Sequence, residues 1–189
     1  MNKAILLTKL ASGRHSKTDV DILVAELTAY PVLVGALLEA VAIEDEEGTF
    51  NASWTLDHLL RLKLLYILPF IGQFCELLPK LRSESCLRSM AHICELLAIA
   101  QHKKTSHMRP MDITSQQWEI IATACFDWLI GNHKVATKVF AMTSLYYLGF
   151  RFSWIHKELQ AYLEQTIAEG STGYQNRAEK TLSKLKALT

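Results

Sequence analysis

Apolar residues recur along the chain at the spacing that marks one face of an α-helix. One such run begins at Trp118 and has apolar residues at positions i, i+3, i+4, i+7, i+10 and i+11, which places them on a single helical stripe. The stripe comprises Trp118, Ile121, Ala122, Cys125, Trp128 and Leu129. Thr114 precedes it, with Gln117 three residues later, which is the pattern of a capping box. Gly131 follows it as a stop signal. The pattern therefore predicts a helix over 115–130.

The same periodicity extends over the rest of the chain and predicts an all-α protein. Pro31 and Pro69 stand where a first helical turn tolerates proline. No segment shows sustained strand alternation without an equally good helical interpretation. The predicted helices cover about 2–12, 18–29, 31–43, 51–67, 69–80, 84–103, 115–130, 134–149, 153–168 and 173–187.

An internal repeat groups the later helices into pairs. The second helix of each pair carries three apolar residues at i, i+4 and i+7, and the first of them is usually small. These triplets are Ala52, Leu56, Leu59; Met90, Cys94, Leu97; Ala141, Leu145, Leu148; and Ala178, Leu182, Leu185. Each follows by eleven or twelve positions an apolar residue at the end of a first helix, namely Val41, Leu78, Leu129 and Ile167. A small residue allows two helices to approach closely while leucines fill the groove, and one pair alone cannot bury both its faces.

The spacing of the triplets predicts how the chain is organised. Successive triplets are 38, 51 and 37 residues apart, and the long interval contains an extra basic segment at about 101–113. Without that insertion the period is nearly constant. We therefore expect one domain, 1–189, forming an α-α superhelix of about four helix pairs with additional N-terminal helices.

Two segments resemble HEAT repeats. LPFIGQFCELLPKLRSESCLRSMAHICELLA, residues 68–98, has an apolar first helix, a short turn and a second helix with Arg88 and Ala91. WEIIATACFDWLIGNHKVATKVFAMTSLYYLG, residues 118–149, has Lys138 at the basic position and Ala141 at the small one. The resemblance covers about 31–188, although Gln175 stands where the last repeat is expected to have arginine. The chain is similar to small bacterial HEAT-repeat proteins of uncharacterised function, which implies a scaffold and no particular ligand.

Composition agrees with a globular helical protein. Half of the residues are hydrophobic and 21% are charged, which argues against disorder. Only 8 Gly and 4 Pro are present, which favours long helices over a β-sandwich. No apolar run reaches the roughly 18 residues of a membrane span, and the N-terminal apolar run is too short for a signal peptide. We expect a cytoplasmic protein with reduced thiols and no membrane association.

No catalytic or metal-binding pattern is evident in the sequence. The closest set of potential zinc ligands is Cys86, His92 and Cys94, but His92 and Cys94 are two positions apart on one predicted helix and point in different directions. No GxSxG, HExxH or P-loop sequence is present. The sequence therefore predicts a protein that is not an enzyme and has no cofactor or metal.

The first functional interpretation is an interaction scaffold that binds another protein. Short solenoids usually present polar residues of the second helices on a concave face, where a peptide or a partner helix binds. The candidates on this face are Asp57, His58, Arg61, Arg88, His92, Lys138, Tyr147 and Arg151.

The alternative interpretation is a HEAT-like protein that binds nucleic acid, with alkylated-DNA repair as its sharpest form. The net charge of +1 lowers this expectation without excluding it. Trp54, Trp128 and Trp154 are aromatic candidates. The candidate basic patch comprises Lys103, Lys104, Arg109, Arg177, Lys180 and Lys184. Nucleic-acid binding is favoured if one groove is lined by Arg61, Arg88, Lys138 and Arg151, since a row of cations binds successive phosphates.

Overall fold

A computed structural model describes residues 1–44, 47–103 and 112–188. Its regular structure in these ranges is entirely helical, so the prediction of an all-α fold is confirmed. Short 3₁₀ turns occupy Pro31–Leu33, Leu64–Phe70, Leu78–Lys80 and Ile167–Glu169. The α-helices are α1 Lys3–Leu10, α2 Lys17–Leu27, α3 Val34–Ala42, α4 Glu47–Leu62, α5 Ile71–Leu77, α6 Glu84–Lys103, α7 Ser115–Ile130, α8 Val135–Leu148, α9 Ser153–Thr166 and α10 Thr172–Lys186.

The helix starting at Ser115 has the ends that its sequence predicts. The Thr114 hydroxyl accepts a hydrogen bond from the backbone N–H of Gln117, while the Gln117 side chain accepts one from the backbone N–H of Thr114. Gly131 ends the helix and donates its N–H to the Asp127 carbonyl. A second capping box, between Ser16 and Asp19, begins α2. Both boxes satisfy backbone donors that a helix start would otherwise leave without partners.

The main difference in helix boundaries concerns α4. We predicted a helix over 51–67, but α4 begins at Glu47 and ends at Leu62. Lys63 leaves helical geometry, with φ −136° and ψ 58°, and a 3₁₀ segment over Leu64–Phe70 follows. The apolar period of the sequence continues through this break, and Ile67, beyond the break, is fully buried. Periodicity alone therefore does not reveal where the helix stops.

The helices contact one another in two series. The second helices of the predicted pairs, α4, α6, α8 and α10, pack in chain order, and α2 packs against α4 at the start of this series. Among the first helices, α3 contacts α5 and α5 contacts α7. Contacts between α3 and α4, between α7 and α8, and between α9 and α10 join the two series. The arrangement of these helices as stacked pairs in an α-α superhelix stays a prediction.

The core includes the apolar triplets that the repeat singles out. All twelve triplet residues are buried, as is every member of the stripe that begins at Trp118. The four cysteines are buried as well, where cysteine behaves as a small apolar side chain. Burial raises the pKa of the Cys75 thiol to about 11, so this thiol is protonated at neutral pH.

Asn51 fastens the N-terminal segment to α4. Its fully buried side chain donates to the carbonyls of Leu10, at 2.8 Å, and Gly13, at 2.7 Å, and accepts from the His15 N–H at 3.0 Å. One side chain thus satisfies three backbone groups at the end of α1 and in the loop that follows it, groups that would be costly to bury without partners.

Within the described residues, no single helix is long and apolar enough to cross a membrane. The segments Glu47–Leu62 and Leu64–Lys80 together have the required length and composition, but they are bent by 118° relative to each other.

Candidate functional site

A buried carboxylate joins α4 to α6. Asp57 is only 4% exposed. Its Oδ2 accepts a hydrogen bond from Arg61 Nη2 at 2.7 Å, one turn further along α4. Its Oδ1 lies 2.5 Å from Nδ1 of His92 on α6. The His92 ring packs against Phe140 of α8, with 4.5 Å between ring centroids. Three of the second-helix candidates, Asp57, Arg61 and His92, are therefore close together, and Asp57 forms hydrogen bonds with both of the others.

Glu95 of α6 connects His92 to side chains of α8 and α10. Its carboxylate lies 3.8 Å from His92 Nε2 on one side and 3.8 Å from Arg177 Nη1 on the other. Arg177 Nη1 also donates to the Thr143 hydroxyl at 2.7 Å. Burial raises the pKa of Glu95, while Thr143, His92 and Arg177 act in the opposite direction. We call the connected side chains Arg61, Asp57, His92, Glu95 and Arg177 the polar chain; it crosses α4, α6 and α10.

His58 belongs to a separate contact between α4 and α2. Its Nε2 accepts a hydrogen bond from the indole N–H of Trp54 at 2.9 Å, and its Nδ1 lies 3.7 Å from Asp21 Oδ1. Burial lowers the pKa of His58, and the Arg61 charge acts in the same direction. The neutral imidazole is also the form that can accept the indole proton at Nε2. His58 thus accepts the indole proton of Trp54 within α4, and its other ring nitrogen faces Asp21 of α2.

The remaining second-helix candidates are spread over the surface. Arg88 is exposed on α6. Lys138 lines a cleft with Tyr162 and Tyr174. Tyr147 and Arg151 line another cleft. Arg61, Lys138 and Arg151 therefore lie in three different environments, which is not the single cationic groove that would favour nucleic acid.

The cleft of Tyr147 and Arg151 is an aromatic cluster at the C-terminal end of α8. His102 at the end of α6 packs against Tyr147 and Phe150, with ring centroids 5.2 and 4.2 Å apart. Arg151 donates to the Ser115 hydroxyl at 2.7 Å, which connects this end of α8 to the start of α7. Tyr147 and Arg151 thus take part in packing between helices.

Half of the candidate basic patch forms one cleft. Arg177, Lys180 and Lys184 lie along α10 and, with Thr143 and Tyr146 of α8, line a cleft of about 470 Å³. Lys103, a further member of the patch, is not among the residues that line this cleft. Lys103 is exposed at the end of α6, whereas Lys104 and Arg109, with most of the segment 101–113, lie outside the described residues.

Trp154, one of the predicted aromatic candidates, forms a surface where α7 meets α9, together with two residues that we did not predict. The rings of Phe126 and Trp154 are stacked, with centroids 5.7 Å apart and an interplanar angle of 19°. Trp154 is 49% exposed, and the neighbouring Ile130 is 59% exposed. We call Phe126, Ile130 and Trp154 the aromatic surface. They line a cleft of about 540 Å³, together with Glu158, Ala161, Tyr162 and Gln165.

The sequence contains a signal for the aromatic surface. Phe126 and Ile130 fall outside the buried stripe that begins at Trp118, although both are large and apolar. Trp154 likewise lies beside the buried positions of α9, which are Ile155, Leu159 and Leu163. An apolar residue outside the predicted core face is a candidate for an exposed contact surface. What the sequence does not show is that these residues of two helices meet.

The described residues contain no group of three or more His, Cys, Asp or Glu side chains that could hold a metal ion. Comparisons of the chain with protein-family models, with curated proteins and with solved structures found no match. The candidate sites of the described residues are therefore the polar chain, the aromatic surface, and the cleft of Arg177, Lys180 and Lys184, which we call the basic cleft.

Proposed function

We propose that this protein is a non-enzymatic scaffold that binds another protein through its aromatic surface. The observation that carries this proposal is the half-exposed Trp154, stacked on Phe126 beside the exposed Ile130. Exposed apolar clusters mark contact sites, and tryptophan is among the residues that contribute most binding energy in protein interfaces.

The aromatic surface is held in shape before any partner arrives. Tyr162 of α9 donates its hydroxyl proton to the Leu129 carbonyl of α7 at 3.2 Å, which fixes the two helices beside the cleft. The stack of Phe126 on Trp154 limits the freedom of both rings. A rigid aromatic anchor loses little conformational entropy on binding. Polar side chains at the edge, Glu158 and Gln165, resemble the polar rim of a protein interface.

The polar chain contributes to the scaffold function by holding neighbouring helices together. Asp57, Arg61 and His92 satisfy one another's hydrogen bonds, and together they tie successive second helices. A fixed spacing between helices is what a rigid binding surface requires. The exposed second-helix face, including Arg88, stays a candidate for an additional contact with a peptide or helix, and the HEAT-repeat family, a bacterial source and a cytoplasmic location are part of the same proposal.

Nucleic-acid binding, with alkylated-DNA repair as its sharpest form, is the second candidate. The observation in its favour is the basic cleft of Arg177, Lys180 and Lys184. The two candidates differ in salt dependence. Binding to phosphates weakens steeply as salt concentration rises, whereas binding to an apolar surface does not.

An affinity pull-down from lysate of the source cells tests the proposal. Wild-type protein is compared with Trp154→Ala and with Ile22→Ala, which removes a similarly exposed apolar side chain from α2. Circular dichroism verifies that each variant is folded. Each sample is treated with or without nuclease and washed at low and at high salt.

The proposal predicts a protein that is recovered stoichiometrically with the wild type and with Ile22→Ala, despite nuclease and high salt, and is lost with Trp154→Ala. Recovery of nucleic acid that disappears at high salt, without a stable protein, would overturn the scaffold function. Equal recovery of the protein by Trp154→Ala and wild type would show that the aromatic surface is not the binding site.

A further inference from the structure

Three cations face one cleft between the last two second helices. Arg177, Lys180 and Lys184 are spaced i, i+3 and i+7, so they share one face of α10. Thr143 and Tyr146 of α8 form the opposite wall. The Lys184 ammonium lies 5.3 Å from the centre of the Tyr146 ring. The cleft therefore combines converging positive charge with hydroxyl groups from both helices.

The positive charge in this cleft is only partly compensated. The hydrogen bond that Arg177 makes is to a neutral hydroxyl, that of Thr143, and its nearest carboxylate, Glu95, is 3.8 Å away. Within the part of the chain that the structure describes, neither Lys180 nor Lys184 takes part in an ion pair, and the Lys184 ammonium lies over the Tyr146 ring. Among the described residues that line the cleft, Glu179 is the one carboxylate. The cleft thus has an excess of donors and of positive charge.

We propose that this cleft is a binding site for one phosphate group, either a phosphate monoester or the free ion, a function distinct from that of the aromatic surface. A phosphate monoester carries close to two negative charges at neutral pH and three acceptor oxygens. Arg177 presents its planar guanidinium in a fixed position because Thr143 holds one nitrogen, and arginine in that state binds phosphate with directional hydrogen bonds. Lys180 and Lys184 supply charge from the same face, and the Ser183 hydroxyl lies in the lining.

The arrangement suits a single phosphate group better than a nucleic-acid backbone. A duplex presents one negative charge per roughly 1.7 Å of helix axis, so its partners carry a continuous track of cations. Among the other second-helix cations, Arg61 is bonded to Asp57, Arg151 is bonded to Ser115, and Lys138 lines a different cleft. The phosphate group has two plausible sources, a phosphorylated side chain of a protein and free inorganic phosphate, and the chemistry of recognition is the same for both.

Isothermal titration calorimetry of the full chain tests this site. The probes are inorganic phosphate, a short Gly/Ala peptide with one phosphoserine, the same peptide without phosphate, and a short single-stranded DNA. The test variant is the double substitution Lys180→Gln and Lys184→Gln, in which two exposed residues change. The control is Lys80→Gln with Lys157→Gln, which removes the same charge elsewhere on the surface. A third variant, Glu179→Gln, removes the carboxylate from the lining.

If the cleft binds phosphate, wild type and control are expected to bind a phosphate probe equally. The test variant is expected to bind it about tenfold or more weakly, because charged hydrogen bonds are lost. Glu179→Gln is expected to bind more tightly than wild type. Binding of the phosphopeptide, with competition by inorganic phosphate, supports the site and assigns a phosphorylated side chain as the source. Binding of inorganic phosphate alone supports the site with free phosphate as the source.

Three outcomes would overturn the proposal. The first is that neither phosphate probe binds the wild-type protein. The second is that the test variant and the control lose affinity equally, because a general effect of net charge would then explain binding. The third is tight binding of DNA with a steep dependence on salt while both phosphate probes fail, which would instead support the nucleic-acid function.

Discussion

The carboxylate of Asp57 and the imidazole of His92 are 2.5 Å apart, and this contact bridges two second helices, α4 and α6. The same carboxylate also accepts a hydrogen bond from Arg61. Because Asp57 is almost completely buried, it depends on these partners in place of water. The pair therefore couples the position of one helix to that of the next.

The substitution Asp57→Ala is expected to lower the free energy of unfolding by about 2–3 kcal/mol, because His92 is left part-buried without its partner. Urea unfolding followed by circular dichroism measures this change. The control is Glu119→Ala, which truncates an exposed acidic residue of α7 and should change stability by no more than about 0.5 kcal/mol. Equal effects of the two substitutions would show that the Asp57 contact does not hold the helices together.

His58 gives a prediction about pH. Its pKa is lowered from the ordinary value of 6.5, chiefly by burial, so the folded protein resists its protonation more than the unfolded chain does. The stability that His58 contributes is therefore complete above about pH 6.5 and is lost as pH falls through the lower folded pKa. The difference in free energy of unfolding between wild type and His58→Gln should shrink over this window.

Titration by NMR tests the same property directly. The His58 imidazole resonance is expected to have a midpoint below 6.5. Trp54→Phe should move this midpoint upward, because the substitution removes the indole proton that the neutral ring accepts. A wild-type midpoint above 6.5 would contradict the geometry in which Trp54 donates to His58.

Gly149, at the end of α8, is packed against His156 of α9. A Cβ atom added at Gly149 would lie 1.9 Å from the His156 ring, and the ring cannot withdraw without losing its 2.8 Å contact with the Tyr146 carbonyl. Gly149→Ala should therefore lower the free energy of unfolding by about 1–3 kcal/mol.

Gly72 provides the matched control for Gly149. A Cβ atom added at this position meets nothing within 4 Å, and the residue lies within helix α5. Gly72→Ala should leave stability unchanged or raise it by up to about 1 kcal/mol, because alanine favours the helix. Thermal unfolding of both variants measures the contrast. A loss of stability with Gly72→Ala as large as that with Gly149→Ala would contradict this packing.

The helices and the core were predictable because local patterns encode them. Trp118 and its stripe are buried, and Thr114 caps the helix, as the periodicity and the capping box predict. The end of α4 was not predictable in this way. Leu64 and Ile67 continue the apolar period, but the chain leaves the helix at Lys63, so the periodicity does not locate this change.

The candidate site was predictable only as separate residues. Asp57 and His92 were both candidates as polar residues of second helices, but they are 35 positions apart, and their contact depends on the register between α4 and α6. Glu95 was missed because a carboxylate outside the apolar triplet is normally solvated. The aromatic surface was missed because Phe126 and Trp154 belong to different helices, and only tertiary packing stacks them.

Amide hydrogen exchange on the complex with the recovered protein partner tests the proposed scaffold most directly. We expect binding of the partner to slow amide exchange in the second half of α7 and along α9, where Phe126, Ile130 and Trp154 lie. Trp154→Ala should abolish this protection. Protection confined to α10 and the facing side of α8, with α7 and α9 unchanged by the partner, would contradict the claim that the aromatic surface binds protein.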